Sequence, residues 1–279
     1  MDILLYIAVL PVVVLCLYIY NKDLDKEPKK IVGKLFLWGM LSVIPIVILE
    51  LLVDKIVTTD DSSNLVKLFI ATLVGVALIE EGFKWLITHK NIYDNEEFNH
   101  PYDAIVYAVF ASLGFALVEN VLYVYGNGVS VGILRAFLTV PSHACAAVIM
   151  GYYLGRAKQA EYNNNQKYSN KDLALSLIMP ILAHTLYDYF LFSQRNIMLV
   201  FFIIFVIALY IVCFKLIKKL SKISYNFDGT DAKHKKEKGE GTKLIKVNSY
   251  ESKWYAISRT FGVIAIIVLI ALAINYLIY

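Results

Sequence analysis

Ile197–Leu216 and Val263–Leu277 are continuous, overwhelmingly apolar blocks, and they limit the fold of this chain more than any other feature. A bilayer's hydrocarbon core is about 30 Å thick and an α-helix rises about 1.5 Å per residue, so about 20 mostly apolar residues can cross it. Reading outward from these blocks gives the spans Ile197–Leu216 and Ala256–Tyr279. Further stretches of the same kind are Asp2–Tyr20, Ile31–Val53, Val66–Thr88, Tyr102–Gly126, Val131–Gly155 and Leu173–Phe192. Composition agrees: the chain is 58% hydrophobic and 18% charged, with mean hydropathy +0.60. A soluble domain is about 45–50% apolar and about 25% charged. The expected fold class is all-α: a polytopic membrane helix bundle with about eight transmembrane helices.

A closed β-barrel is the other way to satisfy every backbone group in lipid. It would read as alternating segments of about ten residues, and unbroken apolar blocks do not fit that pattern. The first span could be mistaken for a secretion signal. It has Asp2 in place of a basic leader and no small-x-small cleavage site, so we read it as a retained span. Cys16, Cys145 and Cys213 all fall within spans and act as small packing residues.

Short loops rich in Lys and Arg stay in the cytoplasm. Asn21–Lys34 carries five basic residues, Arg156–Asp172 four and Lys215–Lys253 eleven, while the alternate loops carry few. This asymmetry predicts a multi-pass protein of the cell membrane with both termini outside and the long basic loops inside. The loop at about 217–255 reads as a solvated segment that enforces topology, with contact to anionic lipid as its rival. No basic-aromatic module for nucleic acid is present; the lipid bilayer is the partner that composition implies.

Ionisable groups inside a membrane cost about 2.5–3.5 kcal/mol each on insertion scales, so a chain that keeps several uses them. In ALIEEGFKWLI, Lys84 lies three and four residues after Glu81 and Glu80, within reach of both carboxylates on a helix. Such a trio can keep one carboxylate ionised as a general base. GFALVENVLYVY sets Glu119 and Asn120 deep in the fourth span. His143 stands alone among small residues, and His184 and Asp188 share a helix face four residues apart. An Asp so placed fixes the tautomer of its His. Asp103 is expected to cap the fourth span. The seventh and eighth spans carry no acid or histidine. The chain therefore reads as an N-terminal span and basic loop (1–30), a working core (31–193) and an accessory C-terminal pair (194–279).

The ordered set Glu80-Glu81-x-x-Lys84, Phe115-x-x-x-Glu119-Asn120, His143 and His184-x-x-x-Asp188 resembles the PrsW family of intramembrane proteases, within the wider CAAX-protease-like superfamily. The resemblance covers roughly Ile31 to Phe192. It implies hydrolysis of a peptide bond in a single-span membrane protein, with an anti-sigma factor as the substrate class and envelope-stress signalling as the setting.

On that footing Glu80, or else Glu81, is the general base for an activated water, and Lys84 tunes the pair. Glu119 and His184 position the water or protonate the leaving amine, and His143 and Asn120 donate to the oxyanion. Asp188 supports His184. A divalent metal, Zn or Mn, is the open alternative, with Glu81, Glu119, His143 and His184 as candidate ligands. By this segmentation Glu80 lies about 21 Å along its helix from the outer end and Glu119 about 10 Å along its own. One shared site then needs tilt, or a helix break at Gly82 or Gly114. Rival readings are a proton- or ion-coupled transporter, which would show an inverted repeat that is not seen here, and a non-enzymatic scaffold or resistance protein.

Overall fold

The computed structural model describes residues 3–57 and 64–230. The expected eighth span and most of the long basic loop lie outside these residues. The described chain is helical, with no β-strand. Its elements are α1 (Ile3–Lys22), α2 (Lys29–Asp54), α3 (Leu65–Ile70), α4 (Leu78–Ile92), α5 (Asp103–Asn127), α6 (Val129–Phe137), α7 (Thr139–Tyr162), α8 (Gln166–Phe192) and α9 (Asn196–Leu220). A π-helical stretch, Ala71–Ala77, joins α3 to α4, so Leu65–Ile92 runs as one helix with a locally widened turn. The Thr72 hydroxyl donates to the Leu68 and Phe69 carbonyls at 3.0 Å each, occupying backbone groups that the wider turn frees.

Among the described residues, six stretches are long and apolar enough to cross a membrane: α1, α2, α5, α6 with α7, α8 and α9. The Leu65–Ile92 helix matches the expected third span in position. The protein is a multi-pass membrane helix bundle. The fifth expected span is divided, because Gly128 (φ 84°) turns the chain after α5 and a break at Leu138 separates α6 from α7.

Helix α5 forms the centre. Of its most apolar 18 residues 67% are buried, against 17% for α1. Lipid is as apolar as leucine, so membrane helices associate by close packing at small residues. A Cβ on Gly39 of α2 would overlap the Ala111 carbonyl of α5, and one on Gly114 would overlap the Phe36 carbonyl of α2. Helices α2 and α5 therefore meet backbone to backbone. Gly151 does the same for α7, where an added Cβ would lie 2.5 Å from the Ala104 carbonyl oxygen. Apolar side chains such as Leu17, Leu41, Ile44 and Ile207 face outward.

The connections at residues 23–28 and 93–102 gather at one end with the segment after α9. Tyr102 Oη donates to the Ile19 carbonyl, the Phe227 N–H to the Asn99 carbonyl, and Gln159 Nε2 to the Phe227 carbonyl. Asp103 does not cap α5, contrary to expectation. Its Oδ2 accepts from the Asn99 and His100 N–H groups at 3.1 and 2.7 Å, so it holds the preceding turn instead.

Candidate active site

Helix α4 carries Glu80, Glu81 and Lys84 on one face just after the π-helical stretch, and all three are buried. Lys84 Nζ donates to Glu80 Oε2 and to Glu81 Oε1, each at 2.8 Å. It also lies 3.2 Å from His143 Nδ1 on α7 and 4.3 Å from the centre of the Phe115 ring on α5. A lysine ammonium has only donors, so Nδ1 is the accepting nitrogen of His143. Nε2 then carries the proton and donates to Glu119 Oε2 at 3.0 Å.

On the other side of α4, Glu81 Oε1 lies 3.0 Å from His184 Nδ1 on α8. His184 Nε2 lies 3.3 Å from Asp188 Oδ2, one turn further along. Both ring nitrogens of His184 thus face carboxylate acceptors. The connected chain runs Asp188, His184, Glu81, Lys84, His143, Glu119, with Glu80 bridging Lys84.

The depth difference between Glu80 and Glu119 does not separate them. Both reach His143, Glu80 at Nδ1 (4.0 Å) and Glu119 at Nε2 (3.0 Å). The helix irregularity lies at Ala71–Ala77, and Gly82 and Gly114 sit within regular helix.

Asn120 faces elsewhere. Its Nδ2 donates to the Ala8 carbonyl at 2.8 Å and its Oδ1 accepts from Arg135 Nε at 3.0 Å. It ties α5 to α1 and α6 and does not line the cavity at the histidines. That cavity, about 10 Å³ and so the size of one water, is bounded by Ser142, His143, Ala146, Ala183, His184, Tyr187 and Leu209. Ser142 donates its hydroxyl to the Thr139 carbonyl at 2.7 Å within its own helix, an arrangement that leaves no Ser–His pair.

Two residues enter the network that the sequence reading passed over. Arg135 on α6 donates from Nη2 to Glu119 Oε2 at 2.8 Å and stacks 4.1 Å over Tyr123. It lies inside the expected span Val131–Gly155, outside the spaced motifs, on the short helix that ends at Phe137. Glu50 of α2 lies within electrostatic range of Glu80, Glu119, Lys84 and His184, and its Oε1 is buried without a partner. A lone glutamate in an apolar span was the available signal.

Glu80, Glu81, His143 and His184 each offer a donor atom, all within 4.8 Å of one another. Two carboxylates and two imidazoles suit a divalent transition metal, and Glu81 Oε2 is buried with no hydrogen-bond partner. The donor set therefore fits such an ion. Glu80 stands in this cluster where the sequence-based ligand set had Glu119, which sits behind His143. Lys84 touches three of the four donors, so a metal there competes with the ammonium.

Residues 27–214 match the family described as PrsW family intramembrane metalloprotease. The chain is 39% identical over 207 residues to Protease PrsW of Oceanobacillus iheyensis, which covers 73% of this chain and 91% of that protein. It is 36% identical over 190 residues to Protease PrsW of Bacillus subtilis, covering 68% and 83%. Against Protease PrsW of Clostridioides difficile it is 31% identical over 212 residues, covering 74% and 87%. No solved structure matches the chain. The chain belongs to the PrsW family and is a membrane-embedded peptidase.

Proposed function

We propose that this peptidase hydrolyses a peptide bond of a single-span membrane protein at the Glu80–Glu81–His143–His184 cluster, and that its substrate class is an anti-sigma factor cut at its first site. The observation that carries the reading is convergence: four donor residues from three helices meet beside a cavity the size of one water. The substrate class rests on the family resemblance alone.

Glu80 is the general base. Among the described residues its one hydrogen-bond partner is Lys84, with His184 and His143 at 3.9 and 4.0 Å, whereas Glu81 is held at 2.8–3.0 Å by both Lys84 and His184. Lys84 keeps two adjacent carboxylates together in low dielectric, where unscreened like charges would separate them. His184 borders the cavity with Asp188 behind it, so it is placed to deliver a proton to the leaving amine. Glu119 and Arg135 orient His143. A zinc or manganese ion, where one is bound, would instead be held by Glu81, His143 and His184 and would supply Lewis acidity at the scissile carbonyl, with Glu80 left free as the base and, in place of His184, as the proton carrier to the leaving amine. The sidedness follows from the loop charges, with both termini outside.

The test is cleavage of a single-span anti-sigma substrate by the purified protein in lipid nanodiscs. Glu80→Ala and Glu81→Ala, at wild-type yield and melting temperature, should each abolish cleavage. A chelator should abolish it reversibly, with Zn²⁺ or Mn²⁺ restoring it. Undiminished cleavage in both variants refutes the site, and indifference to the chelator refutes the metal.

A further inference from the structure

A second buried polar cluster sits at the loop end of the bundle that carries Asn21–Lys34, outside the network above. Asp23 and Glu27 come from the α1–α2 connection, and His100 and Asp103 from the entry to α5. Their exposures are 5%, 5%, 1% and 1%, so three carboxylates and an imidazole are shut away from water together. Donor atoms of Asp23, His100 and Asp103 lie within 4.8 Å of one another.

Hydrogen bonds among the described residues do not account for them. Among these residues neither Asp23 oxygen has a partner at hydrogen-bond geometry, nor does Asp103 Oδ1. The Asp25 N–H only approaches the Asp23 carboxylate. Lys26, the nearest cation in sequence, spends its Nζ on the Tyr20 and Asp23 backbone carbonyls, at 2.5 and 2.9 Å. Glu27 accepts from the Tyr107 hydroxyl and also faces Asp103.

His100 offers one ligand nitrogen, whose present hydrogen bond from the Tyr102 N–H a cation would replace. Its Nε2 donates to the Ile223 carbonyl at 3.0 Å, which fixes the tautomer and leaves Nδ1 as the lone-pair nitrogen. Nδ1 faces Asp103 Oδ1 at 3.6 Å and receives the Tyr102 N–H at 3.1 Å.

We propose that Asp23, Asp103 and His100, with Glu27 beside them, form a second, structural site for a divalent transition cation of the Mn²⁺ or Zn²⁺ class. Carboxylates with one imidazole suit these ions better than Ca²⁺, which prefers an all-oxygen shell. A cation there would join the α1–α2 connection to the start of α5, and through His100 to the segment after α9. The inference does not depend on the peptidase reading.

The test uses metal-stripped full-length protein carrying Glu81→Gln and His184→Ala, so that the other cluster does not report. Mn²⁺ is titrated by electron paramagnetic resonance and the melting temperature is followed in parallel. One Mn²⁺ should still bind and raise the melting temperature. Adding Asp23→Asn should weaken binding at least tenfold and cancel the rise. In metal-free buffer Asp23→Asn should melt no lower than its parent, because it removes a buried uncompensated charge. Should that variant not fold, His100→Gln must remove the ¹⁴N imidazole modulation from the bound Mn²⁺ signal. Absence of Mn²⁺ binding, or binding that both substitutions leave unchanged, overturns the proposal.

Discussion

Lys84 shows most clearly how one side chain sets the chemistry around it. Its buried ammonium is the direct ion-pair partner of Glu80 and Glu81 and also touches His143. Removing one member of a buried ion pair costs about 3–5 kcal/mol, because the other charge stays buried unpaired. Lys84→Met should therefore lower the unfolding free energy of metal-free protein by about that amount. Zn²⁺ should recover part of the loss, since the ion takes the place of the missing charge. Thermal melts with and without Zn²⁺ check this, and equal melting of variant and wild type would refute it.

Arg135 is a positioning residue. It holds Glu119 and Asn120 through two different nitrogens, a reach that a lysine's single point charge does not reproduce. Arg135→Ala should lower kcat by about 10–100-fold, the usual cost of losing an outer-shell orienting group. Arg135→Lys should recover only part, with KM little changed in both. A loss confined to KM would place Arg135 in substrate binding instead.

The residues legible in the sequence were those in spaced motifs: Glu80, Glu81, Lys84, Glu119, His143, His184 and Asp188 all fall in one hydrogen-bonded network. The motif also contained Asn120, whose amide the fold spends on α1. Arg135 stood out only as a lone charge within an expected span, because no motif spacing ties it to Glu119 and Asn120. Asp23 and His100 were not legible either. Both lie in short polar connections that read as solvated, and only tertiary packing buries them.

At the scale of helices, the length of the apolar stretches located the elements well and their interruptions poorly. α1, α2, α5, α8 and α9 each match an expected span within a few residues, except that α8 begins seven residues before Leu173. Hydropathy registers length and apolarity, so it does not see the π-helical stretch at Ala71–Ala77 or the division of α6 from α7. Helix contact depends on glycines. Because a Cβ at Gly39 or Gly114 meets backbone atoms that cannot swing aside, even alanine must push α2 and α5 apart. Gly39→Ala and Gly114→Ala should each cost about 1–3 kcal/mol, the usual range for overpacking. Gly33→Ala, where nothing lies within 4 Å, should be neutral. Comparable melting for all three would refute the close packing.

For the molecule as a whole, family membership decides between the peptidase and the transporter or scaffold readings. The matched segment, 27–214, takes in most of α9, and Leu209 of α9 borders the cavity at the histidines. The proposed sidedness, read from loop charge, gives a separate prediction. In a chain with Cys16, Cys145 and Cys213 replaced by alanine, a cysteine at position 194 should react with an impermeant maleimide on intact cells. A cysteine at position 163 should react only after lysis. The reverse pattern would invert the proposed orientation.

In the proposed mechanism Glu81 and His184 act within one peptidase site. Groups that work as a unit show non-additive losses, because removing one already removes what the other contributes. The deciding measurement is single-turnover cleavage of a single-span substrate by Glu81→Ala, His184→Ala and the double variant, each at wild-type melting temperature. Each single substitution should fall to background, and the double should fall no further. Single variants that keep measurable cleavage, with losses that multiply in the double, would contradict it.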